Sequence, residues 1–339
     1  MTNKLPIGIF IKDTHLSKNT IEINKSIFKQ AKEQAIKYGV DIFHGGDIFS
    51  SRNAQPLDTL NTFHEILEDL GKVNIHCIQG NHDLVDQESE VSYLTVYKNH
   101  PNFNLYSKES ILVCDKVAIH FLPYFKESGS YLDRLKSIDT LSGRKNLLLT
   151  HIAVSGVRNN DYSEVENCLK KELFDKFDIS MVGHYHDESW IGDKIWYFPG
   201  AYQANFGETN KKGCILMYDD LSYDFIKFEF PEYIKIKIDI SDDKALKKFE
   251  KEHSNSNDNI RITLIGDEHQ LASVNKEKYA DIGIDVKFEK NISITELSAL
   301  SSKESVFDRS NIPEAFSRFC EANKYESSKI SDNYLNSIL

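Results

Sequence analysis

Two kinds of apolar segment alternate along the first part of the chain. Short apolar runs that end at glycine or polar turns predict buried strands, and longer segments with helical spacing predict helices. Residues 1–80 follow the order strand, helix, strand, helix, strand, which predicts a parallel sheet with helices against its faces. The predicted elements are strands at 5–12, 40–44 and 73–79 and helices at 26–38 and 57–70.

Strands dominate the pattern from residue 111 to residue 230. Alpha/beta units followed by hairpins favour the α/β fold class, as a layered sandwich. A single helix is predicted in this part, over 165–174. The predicted strands are 111–113, 117–122, 146–150, 178–182, 194–198, 214–218 and 223–230.

Pro231 marks the predicted end of a catalytic domain that covers 1–230. Residues 231–292 then alternate strand, helix, strand, helix, strand, which predicts a small α+β cap domain. The segment 293–339 predicts a helical tail without a strong apolar face, and such a tail is typical of contact with a partner. The two cap helices are predicted at 242–253 and 268–280.

Composition limits the class of protein. The chain has 339 residues, is 40% hydrophobic and carries a formal net charge of −11. No apolar run approaches the ~20 residues of a membrane span. The apolar stretch near the N-terminus is too short for a secretory signal. We therefore expect no membrane association and a cytoplasmic location. The acidic balance argues against broad attraction to nucleic acid but leaves room for a local site. The five cysteines are widely spaced, which argues against a cysteine zinc site.

Polar clusters follow five of the predicted strands, each at the point where the strand ends. Loops at the carboxyl ends of parallel strands converge, so we expect these clusters to meet. They offer carboxylate, imidazole and amide groups without thiolate, which suits manganese or iron, with magnesium or zinc compatible. The ligands are too many for one ion, and two ions need a shared carboxylate. The clusters are Asp13-Thr14-His15, Gly45-Gly46-Asp47, Gly80-Asn81-His82-Asp83, His151 and Gly183-His184-Tyr185-His186.

In composition and order these five motifs resemble the calcineurin-like metallophosphoesterase superfamily. Within it, the run from Asp47 to Arg52 resembles the SbcD-type DNA repair and recombination nucleases, in a compact version similar to those of bacteriophages. Three further segments share this resemblance: Pro199-Gly200-Ala201, Phe206-Gly207-Glu208 and Lys211-Lys212-Gly213. Ser50 departs from the pattern, because many nucleases of this branch carry histidine there.

The resemblance implies a fold and an activity. The fold would be a layered α/β/β/α metallophosphoesterase sandwich with a small C-terminal α+β cap. The activity would be hydrolysis of DNA phosphodiester bonds, as an exonuclease or endonuclease, with two divalent ions, foremost Mn²⁺. The partners would be DNA, an SbcC-type SMC-like ATPase and a second copy of the chain, joined through the helix at 57–70.

The resemblance also implies a role for each motif residue. Asp47 would bridge the two ions, and His82 would stabilise the transition state or protonate the leaving oxygen, oriented by Asp83. One ion would be held by Asp13, His15, Asp47 and His186. The other would be held by Asp47, Asn81, His151 and His184.

Other polar residues have competing interpretations. Arg52 is expected to contact substrate phosphate or to form a surface ion pair, and Lys211 and Lys212 are expected to contact phosphate. Strand alternation points Lys12 away from the Asp13 side of the sheet. His64, on the second predicted helix, is expected to be solvated or to neighbour the site.

Two other functions stay open at this stage. The same metal core could serve a phosphodiesterase or phosphatase acting on a small molecule or a phosphoprotein, although such an enzyme needs no cap. The chain could also be mainly a scaffold that binds DNA ends and the ATPase.

Overall fold

The computed structural model describes residues 4–291, except 53, 89, 127, 158–164, 166, 167 and 255. The predicted tail at 293–339 lies outside these residues. Within the described part, every helix is too short or too polar to cross a membrane.

Two six-stranded sheets form the first compact unit, which covers residues 1–235 and 257–260. The first sheet contains β1 (Pro6–Ile11), β2 (Ile42–His44), β3 (Ile75–Ile78), β4 (Phe103–Tyr106), β11 (Gly213–Tyr218) and β12 (Tyr223–Lys227), in the order β12-β11-β1-β2-β3-β4. The second contains β5 (Ser110–Cys114), β6 (Val117–Leu122), β7 (Lys145–His151), β8 (Ile179–Gly183), β9 (Ser189–Ile191) and β10 (Ile195–Tyr197), in the order β5-β6-β7-β8-β10-β9. Strands β1 to β4 are parallel, as are β6, β7, β8 and β10, so the predicted parallel core is confirmed.

Two helices cover the outer face of the first sheet. They are α1 (Ile21–Tyr38) and α2 (Leu57–Leu70). Helix α1 begins five residues before the predicted start, because a 3₁₀ turn with a Ser17 capping box leads into it. It ends at Gly39, whose φ of 66° is the left-handed conformation of a C-cap glycine. Phe28 and Phe63 of these helices are buried against Ile9 of β1 and its neighbours.

The two sheets pack face to face around a second hydrophobic core. Alternation along β1 divides its side chains: Ile9 faces the helices, while Phe10 faces the second sheet. The Phe10 ring stacks on Phe43 at 4.7 Å between centroids, and Phe43 stacks on Phe121 of β6 at 6.2 Å. Aromatic contacts therefore join the two sheets directly.

The outer face of the second sheet has a thinner cover. Helix α3 (Tyr131–Ser137) packs there through Tyr131 and Leu135, which completes the α/β/β/α layering. The predicted helix over 165–174 is wrong in its described part. Leu169 pairs with Val154 in a β-bridge, and a 3₁₀ turn is present only at Lys171–Phe174. Backbone pairing with a distant segment thus overrides the local helical pattern.

Among the described residues, the second unit covers 236–256 and 261–291. Strands β13 (Tyr233–Asp239), β14 (Asn259–Gly266) and β15 (Ile284–Lys290) form a three-stranded sheet in that order. Its helices are α4 (Asp243–His253), α5 (Glu268–Ala272) and α6 (Lys276–Ala280). The predicted single helix over 268–280 is wrong, because Asn275 accepts a hydrogen bond from Glu277 N and starts a new helix there.

Candidate metal centre

Both sheets supply residues to one polar centre at the carboxyl ends of their parallel strands. Strands β1, β2 and β3 of the first sheet lead into three of the predicted motifs, and β7 and β8 of the second lead into the other two. The loops approach closely, since a Cβ on Gly80 would lie 2.2 Å from Asp47 Oδ1 and one on Gly183 would lie 2.3 Å from Gly45 O. Only glycine fits at these two positions.

Four of the predicted ligands have a left-handed backbone. Asp13, His15, Asp47 and His184 have φ of 51°, 41°, 58° and 94°, and they are four of the six such non-glycine residues in the described part of the chain. Conformations of this kind cost of order 1–3 kcal/mol each and concentrate at functional sites. These strained conformations direct the four side chains inward and lower the stability of the fold.

The first ligand group is Asp13, His15 and His186, whose ligand atoms all lie within 4.8 Å of one another. His15 Nε2 is 2.9 Å from His186 Nε2. His186 Nδ1 donates to Glu208 Oε1 at 2.8 Å, which leaves the Nε2 lone pair facing the centre. Asp13 Oδ2 is buried and accepts no hydrogen bond of acceptable geometry, although Lys12 Nζ lies 3.1 Å away.

The second ligand group is Asp47, His151 and His184, with Asn81 beside them. Asn81 Oδ1 lies 3.1 Å from His151 Nε2 and 2.9 Å from His184 Nδ1. His151 Nδ1 donates to Gly45 O at 2.9 Å, so its Nε2 is again the free nitrogen. The amide oxygen and two imidazole nitrogens therefore point at one another.

Asp47 lies between the two groups. Its Oδ2 is 3.3 Å from His151 Nε2 in the second group and 3.9 Å from His15 Nε2 in the first. Its Oδ1 accepts a hydrogen bond from His82 N at 2.8 Å, which fixes the carboxylate. A single oxygen facing both groups is the arrangement that a bridging ligand requires.

Electrostatics prepare most of these groups for a cation. Burial lowers the pKa of His15 to about 4 and that of His184 to about 3, so both imidazoles are neutral and able to ligate. Burial alone would raise the pKa of Asp47, but the nearby histidines, His151 foremost with His15 and His82, together hold that pKa well below its usual range. Conversely, burial would lower the pKa of His151, but Asp47 and Asp13 raise it to about 9. The two carboxylates thus favour positive charge at this position, which a bound cation would supply.

The residues fit a pair of divalent cations. Asn81 Oδ1 faces only acceptors, an arrangement that a cation between them would satisfy; with the amide rotated, its nitrogen would donate to both imidazoles and its oxygen would accept from Arg52 at 2.6 Å. The first orientation suits a metal-bound centre. Oxygen and nitrogen ligands without thiolate match manganese, iron, magnesium or zinc.

His82 and Arg52 lie at the mouth of the centre. The His82 ring is 25% exposed, and its Nδ1 donates to the Ser50 carbonyl at 2.5 Å. Its Nε2 is 3.1 Å from Arg52 Nη2 and 4.0 Å from Asp47 Oδ2. Because Ser50 holds the ring through its backbone, this contact does not need the histidine that many SbcD-type nucleases carry there.

The predicted role of Asp83 needs correction. Its carboxylate does not contact the His82 ring. Instead it accepts three backbone hydrogen bonds, from Asp47 N and Gly80 N at 2.9 Å and from Phe49 N at 3.0 Å. Asp83 therefore joins the loops after β2 and β3, and it acts on His82 only through the backbone.

The expectation that Lys212 contacts phosphate also needs correction, whereas that for Lys211 stays a prediction. Lys212 is fully buried and bonds Asp187 Oδ1 at 2.8 Å and Glu208 Oε2 at 3.1 Å. Lys211 is exposed but paired with Glu188. Lys212 therefore cannot reach a substrate, while the ammonium group of Lys211 remains accessible to solvent.

Lys12 contradicts the expectation from strand alternation. Its buried ammonium lies beside Asp13 and donates to the carbonyl of Tyr185. Regular alternation ends at Asp13 because of its left-handed φ, which turns the carboxylate to the Lys12 side. Lys212 Nζ bonds the next carbonyl, that of His186, at 2.7 Å. Two buried lysines therefore hold the loop that carries both histidines.

Sequence reasoning missed Glu208 as a site residue. Burial alone would raise its pKa, but His186 and Lys212 lower it to about 2. The available signal was Phe206-Gly207-Glu208, which supported the resemblance without receiving a role.

Replacing Glu208 with glutamine is expected to weaken metal binding at the first ligand group. The neutral amide orients His186 less firmly and leaves Lys212 undercompensated, and loss of such an outer partner typically costs ~10–100-fold in affinity. Titration of Mn²⁺ against hydrolysis and by calorimetry would measure this. Glu188→Gln, which removes a nearby carboxylate that does not touch a ligand, should titrate like the wild type. Equal curves for the two variants would contradict the role of Glu208.

Comparison with known proteins gives an independent result. Residues 7–220, more than half of the chain, match the family model described as "Calcineurin-like phosphoesterase superfamily domain". A protein of Invertebrate iridescent virus 6, described as a candidate phosphoesterase (244L), is 24% identical over 215 residues, covering 62% of this chain and 74% of the viral protein. The matched region contains every motif residue of the centre.

Two solved structures share weaker similarity. One aligns with a TM-score of 0.42 at 10% identity over 66% of this chain and 100% of its own. The other, a hypothetical protein from Thermus thermophilus, aligns with a TM-score of 0.35 at 11% identity over 60% of this chain and 77% of its own.

Proposed function

The chain belongs to the calcineurin-like phosphoesterase superfamily, and on that basis we propose that it is a two-metal DNA nuclease subunit. The observation that carries this proposal is the position of Asp47 Oδ2, which faces both ligand groups from a buried site. The substrate, DNA, is proposed from the resemblance of the run Asp47–Arg52 and of the segments at 199–213 to SbcD-type nucleases. The second unit supports this choice, since a minimal phosphatase needs no such addition.

The residues around the centre have separate tasks. When bound, two divalent ions supply Lewis-acid activation of the phosphodiester and of the attacking water. Asp47 fixes the spacing of the two ligand groups. Arg52 is placed to hold a non-bridging phosphate oxygen, and its planar fork suits that contact. His82 presents Nε2 to the same space, with its ring held by Ser50; this nitrogen accepts from Arg52 here and, once protonated, would donate to the departing oxygen.

Charge is consistent with a local site and not with a broad DNA-binding face. The chain carries a net charge of −11, so phosphate attraction must arise at the centre itself. Bound divalent ions reverse the sign of a carboxylate cluster. We further propose, from the resemblance alone, Mn²⁺ as the working ion, an SbcC-type ATPase as partner, and a homodimer of this chain.

The proposal is tested with the purified chain of 339 residues. Single-stranded and hairpin DNA are incubated with Mn²⁺, with and without the ATPase, alongside a chromogenic phosphodiester and the matching monoester. We expect DNA and the diester to be cleaved and the monoester to react slowly. Absence of DNA cleavage in every condition would refute the nuclease assignment. Turnover of the small esters with intact DNA would then favour the phosphodiesterase or phosphatase alternative.

A further inference from the structure

Helix α2 carries a second group of metal-ligand side chains that shares no residue with the centre described above. His64 and Glu68 are four residues apart and so lie on one face of the helix. His100, from the turn that precedes β4, completes the group. The three ligand atoms all lie within 4.8 Å of one another.

The turn that carries His100 is fastened to α2 on both sides of that group. Tyr97 Oη donates to the carbonyl of Leu60 at 2.6 Å, and Asn102 Nδ2 donates to the carbonyl of Leu67 at 2.8 Å. These carbonyls lie about one helical turn on either side of His64. His100 is therefore held over the helix by contacts that do not involve its own ring.

Hydrogen bonding alone does not account for the group. His100 Nε2 is 2.8 Å from Glu68 Oε1, and the His100 side chain is only 9% exposed. Its Nδ1 is buried and has no hydrogen-bond partner. His64 contacts His100 edge to face, with 5.7 Å between ring centroids, and its ring makes no hydrogen bond within the described residues. A plain His100–Glu68 pair would thus give His64 no polar role, although its ring lies against that of His100.

We propose that His64, Glu68 and His100 form a transition-metal site, with zinc as the best-suited ion. Two imidazoles and one carboxylate form a known zinc ligand set, with Zn–N near 2.0–2.1 Å and an open fourth position. His64 and Glu68 are exposed, so their side chains are free to rotate into such a geometry. Binding would cross-link α2 to the turn before β4 and would leave the fourth position for water or another ligand.

This site does not depend on the proposed nuclease activity, so its test counts ions and does not measure catalysis. The 339-residue chain is titrated with Zn²⁺, and bound ions are counted by native mass spectrometry for the wild type, His64→Gln and Glu68→Gln. His269→Gln, which removes an exposed histidine outside the group, is the matched control.

We expect the wild type and the control to bind one more zinc ion than His64→Gln or Glu68→Gln under the same conditions. The affinity of that ion should fall by more than ~10-fold in either variant, since even outer partners of a metal contribute that much. The comparison uses the difference between proteins, so it is valid whatever number of ions the larger centre retains. Equal numbers of ions in the wild type and both variants would overturn the proposal. Both substitutions are on the exposed face of α2, and circular dichroism checks that the helix is intact.

Discussion

Asp47→Asn is expected to lower phosphodiester hydrolysis by more than ~100-fold, beyond what loss of an outer partner of a metal costs. Asp47 supplies the one oxygen that faces both ligand groups, so the change weakens both ion sites together. Asparagine tolerates the left-handed backbone at this position, where φ is 58°, so strain does not explain the loss. The variant should also bind fewer Mn²⁺ ions by calorimetry.

Asp115→Asn is the matched control for this experiment. Asp115 also has a left-handed backbone, with φ of 38°, but it lies in the turn between β5 and β6, away from the ligand loops. It should keep the activity and metal content of the wild type. An Asp47→Asn protein that binds two ions and retains activity would exclude Asp47 as the bridge, whatever the substrate.

Asp83→Ala is expected to lower the free energy of unfolding by several kcal/mol. The change removes the acceptor of three buried backbone N–H groups, those of Asp47, Phe49 and Gly80. Each unsatisfied donor costs about 1–3 kcal/mol. Urea unfolding with a chelator present measures the effect without any contribution from bound metal. Asp83→Asn keeps one acceptor oxygen and should fall between the alanine variant and the wild type.

The same pair of variants separates two roles for Asp83. If the carboxylate acted by orienting the His82 ring, Asp83→Ala would match His82→Ala in activity and would unfold like the wild type. The observed backbone contacts predict instead that Asp83→Ala lowers the free energy of unfolding. Any loss of activity would then result from displacement of the two loops. A loss of stability below about 1 kcal/mol would contradict the contact pattern, since even one stranded donor costs that much.

The sequence predicted the fold well where hydrophobic periodicity and pairing agree. The strands around Phe10, Phe43 and Leu149 lie within a residue or two of their predicted positions because each is buried on both faces. The edge strand β4 was missed, since its burial pattern alternates too weakly to show a period. The local pattern predicts a helix at Leu169, because its pairing with Val154 is a contact that local propensity cannot encode.

At the site, likewise, the sequence identifies which residues take part but does not reveal all of their contacts. The positions of Asp13, Asp47 and His151 at strand ends follow from spacing alone. The contacts of Asp83, Lys12 and Lys212 do not, because they depend on backbone N–H and carbonyl groups from loops far away in the chain. A motif identifies which side chains are present, but the direction of each depends on φ at residues such as Asp13, which no periodicity reveals.

The two sheets divide the ligands between them in a way that constrains the whole protein. Each ligand group takes members from both sides of the sandwich: His186 joins Asp13 and His15, and His151 and His184 join Asp47. Neither half alone can assemble even one ion-binding pocket. Binding of the cations should therefore cross-link the two sheets. A folding intermediate in which the sheets are not yet packed together should neither bind the cations nor hydrolyse a phosphoester.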